Sequence, residues 1–394
     1  MRRKSKEIKR RRRFIGYSVV YILLLIIAGY LFHQKLSAHS NESVSASAKN
    51  EESEHQTKIK NKAVNKTKPS GNPPVNIVNS KNIDSYLKSI HFNGSAMVVK
   101  DGKVVIDKGY GFANREKRIK NNSNTVYYIG SITKSFVSTA LMQLQEKGKV
   151  NVHDSLAKYL PNFPHANQLT LFDLLTHTSG IREIDESQKK LTREQLMQKI
   201  GKNAQMLMFA PGTRWAYSDS NYSILGYVVE KVSGESLHDY IQQHIFQPAG
   251  MNQSGFGTQF KKEPYPSTGY KIKNGTMYTP AIPDFSQLFG CGDIYTTASD
   301  LYKFDHALAS GKLVSKESYK QIFTPFKATY GFGWYIDPGS VSSHGVLPGW
   351  NGLNSYGKSG KVYVVLLSNI ENNIKSFGIV NNNIYTKLAN DPAL

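Results

Sequence analysis

Three short stretches of this sequence bring together residue types that do chemistry in combination. Ser131-Ile132-Thr133-Lys134 sets a hydroxyl and an amine three residues apart. At the first turn of a helix such residues share a face, so the amine can reach the hydroxyl. A lysine is protonated at neutral pH, but burial or a neighbouring cation lowers its pKa, and it can then take the serine proton. The free N–H groups of a helix start can also stabilise an oxyanion. A second stretch, Tyr217-Ser218-Asp219-Ser220-Asn221-Tyr222, follows the turn PGTRWA. Here Tyr217 can relay a proton, and Asp219 can orient Lys134 or a substrate amine. The third is Ser343-His344-Gly345-Val346-Leu347-Pro348-Gly349-Trp350. Gly345 lets a ligand lie along a strand edge, and His344 can contact a carboxylate or assist proton transfer.

Each stretch also has a plainer reading. Chance produces S-x-x-K in many chains, as a surface Ser and Lys on an ordinary helix. Asp219 or Ser220 can simply cap the helix SNYSILGYVVEKV. His344 and Gly345 can belong to a turn. His177-Thr178-Ser179-Gly180 reads as a helix end, with Gly180 the left-handed cap of LFDLLTHTSG. No H-E-x-x-H or comparable ligand cluster points to a metal, and no glycine-rich loop to a bound phosphate. Cys291 is the single cysteine, which excludes an intramolecular disulfide and a CxxC redox pair.

The elements that must position these residues follow from periodicity. Asn82–Ile90 has the pattern of a short amphipathic helix. GSAMVVK and KVVIDKGYG flank Asp101-Gly102, a strong hairpin signal. From Ser131 the apolar positions Phe136, Val137, Ala140, Leu141 and Leu144 make a helical stripe, with Gly148 as a C-cap. The middle, about Leu156–Gly250, is helix-rich, with helices expected at Leu225–Val232 and Leu237–Phe246. The strands return late, as GFGWYID, GLNSYG and KVYVVLLSN, before a final helix from about Ile370 to Leu388. Hairpin first, helices next and strands last predicts an α+β class: an antiparallel sheet whose ends meet in space, flanked by helices, beside an all-helical region.

Charge and hydropathy divide the 394 residues. Residues 1–13 carry nine Lys or Arg and one Glu, a net of +8. Phe14–Phe32 contain no charge, and about 20 apolar residues span a bilayer core. The basic run stays in the cytoplasm by the positive-inside rule, which predicts a single-pass anchor with the bulk of the chain outside. A cleaved signal peptide is the competing reading. Residues 33–80 are polar, with a net of +3, and predict a disordered tether. Residues 81–394 are expected to fold as one domain. Of the total of +21, the remainder, 21 − 8 − 3 = +10, falls on that domain. With no nucleic-acid-binding signature and with export expected, an anionic envelope polymer suits this charge better than nucleic acid.

Together these pieces resemble the β-lactamase-related serine hydrolases: class C β-lactamases, DD-peptidases and penicillin-binding proteins, and related esterases. FNGSAMVVKDGKVVIDKGYGFAN, SITK, LTLFDLLTHTSGI, PGTRWAYSDSNYSILGYVVE, IFQPAGM, GCGDIYTTASDLYKF, YGFGW and VVLLSN carry the likeness across about Asn93–Asn369. The resemblance implies that Ser131 is acylated, that Lys134 activates it and that Tyr217 shuttles the proton. The N–H groups of Ser131 and Val346 would form the oxyanion hole, with no metal and no cofactor. Two departures stand out. The family's Tyr-x-Asn asparagine is Asp219 here, and its Lys-Thr-Gly aligns as Ser343-His344-Gly345. The cation that holds a substrate carboxylate is therefore missing or moved to His344, while a carboxylate at 219 suits a substrate bearing an amine. The likeness in character is to the FmtA-like and DltE-like teichoic acid D-alanine esterases of Gram-positive bacteria. Expected partners are thus teichoic acid or, alternatively, peptidoglycan stem peptides; a non-catalytic sensor on the same fold is the third reading.

Overall fold

The structure, a computed structural model, describes residues 80–391. The expected anchor at 14–32 and nearly all of the expected tether lie outside the described residues. Among the described residues no helix is long and apolar enough to cross a membrane.

In chain order the helices that bear on the site are α1 (Lys81–Ser89), α2 (Thr133–Glu146), α3 (Leu171–Leu175), α4 (Arg193–Ala204), α5 (Asp219–Ser233), α6 (Ala298–Ala309) and α7 (Phe377–Ala389). The main strands are β1 (Gly94–Lys100), β2 (Lys103–Tyr110), β3 (Tyr335–Ile336), β4 (Ser340–Leu347), β5 (Trp350–Gly357) and β6 (Val362–Ser368). Ser80 caps α1 by accepting from the Ile83 N–H. The β1–β2 hairpin turns at Asp101 and Gly102, with φ of 49° and 74°. A two-residue turn that matches strand twist needs both residues left-handed, and Asp-Gly meets that need cheaply.

The six strands form one sheet in the order β3-β4-β5-β6-β1-β2. β6 lies antiparallel to β1, with Gly94 opposite Ser368 and Lys100 opposite Val362, so the ends of the domain meet as the order of elements predicts. Alternation along the strands then makes two apolar faces. Ala96, Val98, Leu353 and Leu366 pack with α1 and α7. Met97, Val99, Val365 and Leu367 belong to the larger core shared with the helical region.

α2 is the axis of that larger core. The expected stripe is buried, and so is every other residue from Thr133 to Leu144. A helix covered all round is a core element, and each fully buried Phe or Leu stabilises it by about 1.5–3 kcal/mol. Its chain leaves through Lys147 and Gly148, the latter at φ 67°.

Two boundaries differ from the periodicity. In GFGWYID only Tyr335–Ile336 is strand. Gly333 sits at φ 82°, and a β-carbon on it would stand 3.0 Å from the Lys134 carbonyl, so this segment runs close against α2. The last helix starts at Phe377, capped by Ser376. The residues before it are held as a loop, in which Glu371 binds Lys271 and the Gly349 N–H and Asn372 binds Ile272.

Candidate active site

A 3-10 turn, Gly130–Ile132, delivers Ser131 to the start of α2. Gly130 has φ 49°, and a β-carbon on it would lie 2.5 Å from Val346 O. A β-carbon on Gly345 would overlap Ile129 O and stand 2.8 Å from Ser131 N. The two glycines therefore press the edge of β4 directly onto the turn that holds Ser131. No larger residue at either position permits this approach. β3 pairs only with Val341 and Ser342, which leaves β4 from Ser343 onward as the edge facing that turn.

Ser131 Oγ receives two hydrogen bonds. Lys134 Nζ donates at 2.9 Å and Tyr217 OH at 2.7 Å. Lys134 is fully buried, donates also to Cys291 O at 3.0 Å, and lies 2.6 Å from Asp219 Oδ1. Asp219 is the first residue of α5, and Tyr217 stands two residues before it, so one helix start aims both groups at α2. The arrangement brings Ser131, Lys134, Tyr217 and Asp219 together, as the family resemblance implies.

The electrostatics correct one expectation. Lys134 was expected to lose basicity through burial or a neighbouring cation. Burial does pull its ammonium down, but the Asp219 carboxylate, helped by Tyr217, outweighs burial and raises the pKa above the ordinary value. The physical reason is an opposite charge at ion-pair distance. The Asp219 carboxylate thus favours the ammonium form of Lys134 in the resting site. Burial raises the Tyr217 phenol, with Lys134 opposing, so Tyr217 stays neutral and donating.

His177 is structural, as the sequence suggests, but Gly180 is not the residue that closes the helix. α3 ends at Leu175, with Thr176 as C-cap, and the left-handed residue that follows is His177, at φ 56°, rather than Gly180. Gly180 is left-handed too, but three residues on, where a β-carbon would stand 2.5 Å from Phe209 O. The fully buried His177 ring lies 4.3 Å from that of Tyr217. Its Nδ1 faces the Ser218 N–H at 3.2 Å and Asn221 Nδ2 at 3.1 Å. Burial and then the Lys134 charge hold its pKa well below the usual value, so it is a neutral acceptor that locks the loop carrying Tyr217.

The third motif divides by face. Ser343 is buried and donates to Gly333 O at 3.2 Å, which braces the segment behind Lys134. His344 points the other way, because it pairs across the strand with Leu353, a residue of the α1–α7 core. Its Nε2 hydrogen-bonds Asn351 Oδ1 at 2.8 Å, its ring stands 6.3 Å from Phe377, and burial lowers its pKa. Side-chain alternation thus removes His344 from the nucleophile, contrary to the contact expected of it. Val346 also turns its side chain away, and only its backbone meets the site.

Carboxylates gather on the α5 side. Glu183 Oε1 accepts from the Asp219 N–H at 3.3 Å. Glu186, Asp219 and Cys291 place ligand atoms within 4.8 Å of one another, the only such group among the described residues. Burial, then Asp219, pushes Glu186 up to about 7 and raises Glu183. The same two causes raise the Cys291 thiol well above its usual value. A metal ion there would need a thiolate that the surroundings disfavour and would stand beside the Lys134 ammonium.

The beta-lactamase family model matches residues 80–385. The chain belongs to the beta-lactamase family. Within that family it is 44% identical over 388 residues to a Bacillus subtilis protein that carries the name penicillin-binding protein PbpX, covering 98% of this chain and 96% of that one. It is 29% identical over 379 residues to the teichoic acid D-alanine hydrolase of Staphylococcus aureus, covering 92% of each. Among solved structures, that of FmtA from Staphylococcus aureus superposes with a TM-score of 0.73 at 28% identity, covering 82% of this chain and 92% of that one. The chain is accordingly a serine hydrolase of beta-lactamase type, with the α+β fold of the DD-peptidases.

Proposed function

We propose that this hydrolase removes D-alanyl groups from teichoic acid by cleaving their esters, outside the cell and tethered through residues 14–32. The observation that carries the reading is the charge around Ser131. Carboxylates of Asp219, Glu183 and Glu186 flank the nucleophile, while His344 turns away and supplies no cation for a substrate carboxylate. A D-alanyl ester carries an ammonium and no free carboxylate. The name of the Staphylococcus aureus relatives supports the same reading.

In this reading Ser131 Oγ attacks the ester carbonyl. As the bond forms, Asp219 takes a proton from Lys134, and Lys134 takes the Ser131 proton. The Tyr217 hydroxyl, donating to Oγ, lowers the cost of the alkoxide. The carbonyl oxygen gains charge between the Ser131 and Val346 N–H groups. Lys134 or Tyr217 then protonates the departing alcohol, and water releases D-alanine by the reverse path.

The test is mass spectrometry of free D-alanine after incubating the protein with D-alanylated lipoteichoic acid. Release is expected, with loss of about 10^4-fold or more in Ser131→Ala. No release, or equal release by the variant, overturns the reading. The name of the Bacillus subtilis relative favours a second reading, a DD-carboxypeptidase or penicillin-binding protein acting on peptidoglycan stems. It requires release of D-alanine from a stem pentapeptide and covalent labelling by a fluorescent penicillin.

A further inference from the structure

A cavity of about 720 Å³ is lined by residues that neighbour the catalytic ones in the chain, although none of the catalytic residues lines it. Two of its walls lead to the catalytic residues. Tyr128 lines it and stands three residues before Ser131, and Gln188 lines it two residues after Glu186. Its third wall comes from Trp350, directly after the Leu347-Pro348-Gly349 end of the β4 edge. The cavity walls are thus continuous along the chain with the segments that carry Ser131, Glu186 and the β4 edge.

Its construction is firm. The Tyr128 ring stacks on Phe260 at 4.2 Å, meets Phe285 at 4.7 Å and receives Trp350 edge-on at 5.1 Å. Trp350 Nε1 donates to Ser267 Oγ at 2.9 Å. The strap bearing Gln188 is pinned by Gln287, whose Nε2 donates to Ser187 O and Lys189 O. At the mouth, the Tyr265 ring is 46% exposed and offers an apolar face to whatever enters.

Its charge is the reverse of the catalytic flank. Lys117, Lys120 and Lys261 line it, all three are exposed, and none has a carboxylate partner among the described residues. Its one lining carboxylate, Asp284, already accepts from the Ser286 N–H and hydroxyl. Unneutralised ammonium groups over an aromatic floor suit a chain that alternates anionic phosphodiesters with carbon-bearing units. Phosphates would meet the lysines, and polyol or sugar carbons would rest on the rings.

We infer that this groove holds the polyol-phosphate backbone of the polymer whose D-alanyl ester lies at Ser131. The inference rests on the proposed esterase reading and adds a second binding site to it. The substrate unit is zwitterionic, and the two sites divide its charges: ammonium to the carboxylates, phosphates to the lysines.

The experiment uses the full chain in detergent micelles and a triple variant, Lys117→Gln, Lys120→Gln and Lys261→Gln. Two D-alanyl esters serve as substrates: a delipidated D-alanylated poly(glycerol phosphate), and the D-alanyl ester of glycerol alone. Binding of the de-alanylated polymer is measured by calorimetry, with single-stranded DNA of equal phosphate number as a competitor. The polymer-to-monomer ratio of kcat/KM is expected to fall about tenfold in the variant, and polymer affinity to weaken by a similar factor, as expected for loss of attractive charge along a cleft. An unchanged ratio and affinity overturn the groove while leaving the esterase standing. If the parent protein cleaves neither ester yet loses polymer affinity in the variant, the esterase reading fails and the groove survives. DNA that displaces the polymer as well as the polymer itself overturns the assignment, since the groove then reads charge alone.

Discussion

Two regions of the molecule carry opposite charge. On the α5 side, Asp219, Glu183 and Glu186 gather near a buried ammonium; in the groove, Lys117, Lys120 and Lys261 have no carboxylate partner among the described residues. The groups of the acidic flank lie close enough to the buried Lys134 and to one another that Asp219 changes Lys134 and is felt by Glu183 and Glu186. The basic groove is exposed, and its lysines act on a ligand as independent charges in water. The difference teaches that the same element of chemistry, an ion pair, does different jobs at different depths. Inside, it sets protonation states for bond making; at the rim, it steers and holds a polymer.

The comparison is broken most severely at Asp219. Asp219→Asn removes the acceptor for the Lys134 proton, and kcat on the short ester is expected to fall by about 10^2–10^4-fold, the scale of one proton-transfer catalyst. A stopped-flow measurement of acylation checks it. Wild-type acylation in Asp219→Asn would reassign the proton to Tyr217.

Glu186 sharpens the contrast. Burial first, and then Asp219 and Glu183, push its carboxyl up to about 7, with Lys134 and Lys199 opposing. Below that pH it is neutral and no longer attracts an ammonium, so KM for a D-alanyl ester rises as pH falls through 7. Glu186→Gln should raise KM up to about fivefold at pH 8, as for a partly exposed ion pair, and flatten this pH profile. The linkage sign runs opposite for stability. Because its folded pKa is raised, the native state holds that proton more tightly than the unfolded chain. Glu186 therefore costs stability once pH exceeds the ordinary carboxylate range, and Glu186→Gln raises Tm at pH 8 but hardly at pH 4. A KM and Tm that ignore both pH and substitution would remove Glu186 from the site.

Salt gives the smallest effect. Raising ionic strength from 0.01 M to 0.15 M shortens the screening length from about 30 Å to about 8 Å, which weakens exposed charges far more than buried ones. Turnover of the polymer should drop about threefold more than that of the glycerol ester, by the same screening argument. Equal drops would mean that both regions sense solvent alike and that the contrast in depth is wrong.

Much of this was legible along the chain. The Asp101-Gly102 hairpin, the buried stripe of α2 and the apolar run of β6 report local conformational preference and burial, which periodicity encodes. Ser131 and Lys134 were legible because three residues at a helix start share a face whatever surrounds them. Tyr217 and Asp219 were legible as candidates through the family likeness, though not through their own spacing.

Only the tertiary structure decided the rest, and always for the same reason: contacts between distant segments have no signature in local pattern. The protonation state of Lys134 depends on a carboxylate 85 residues away, 219 − 134, which reversed the expected direction of its pKa. His177 became the support of Tyr217 only once α3 and α5 were packed together. The strand parity of β4, settled by pairing with β5, turned His344 away from the site and left Gly345 against it. The groove of lysines and aromatic rings collects residues 113 to 350 of the chain, so its charge and floor exist only in the folded state.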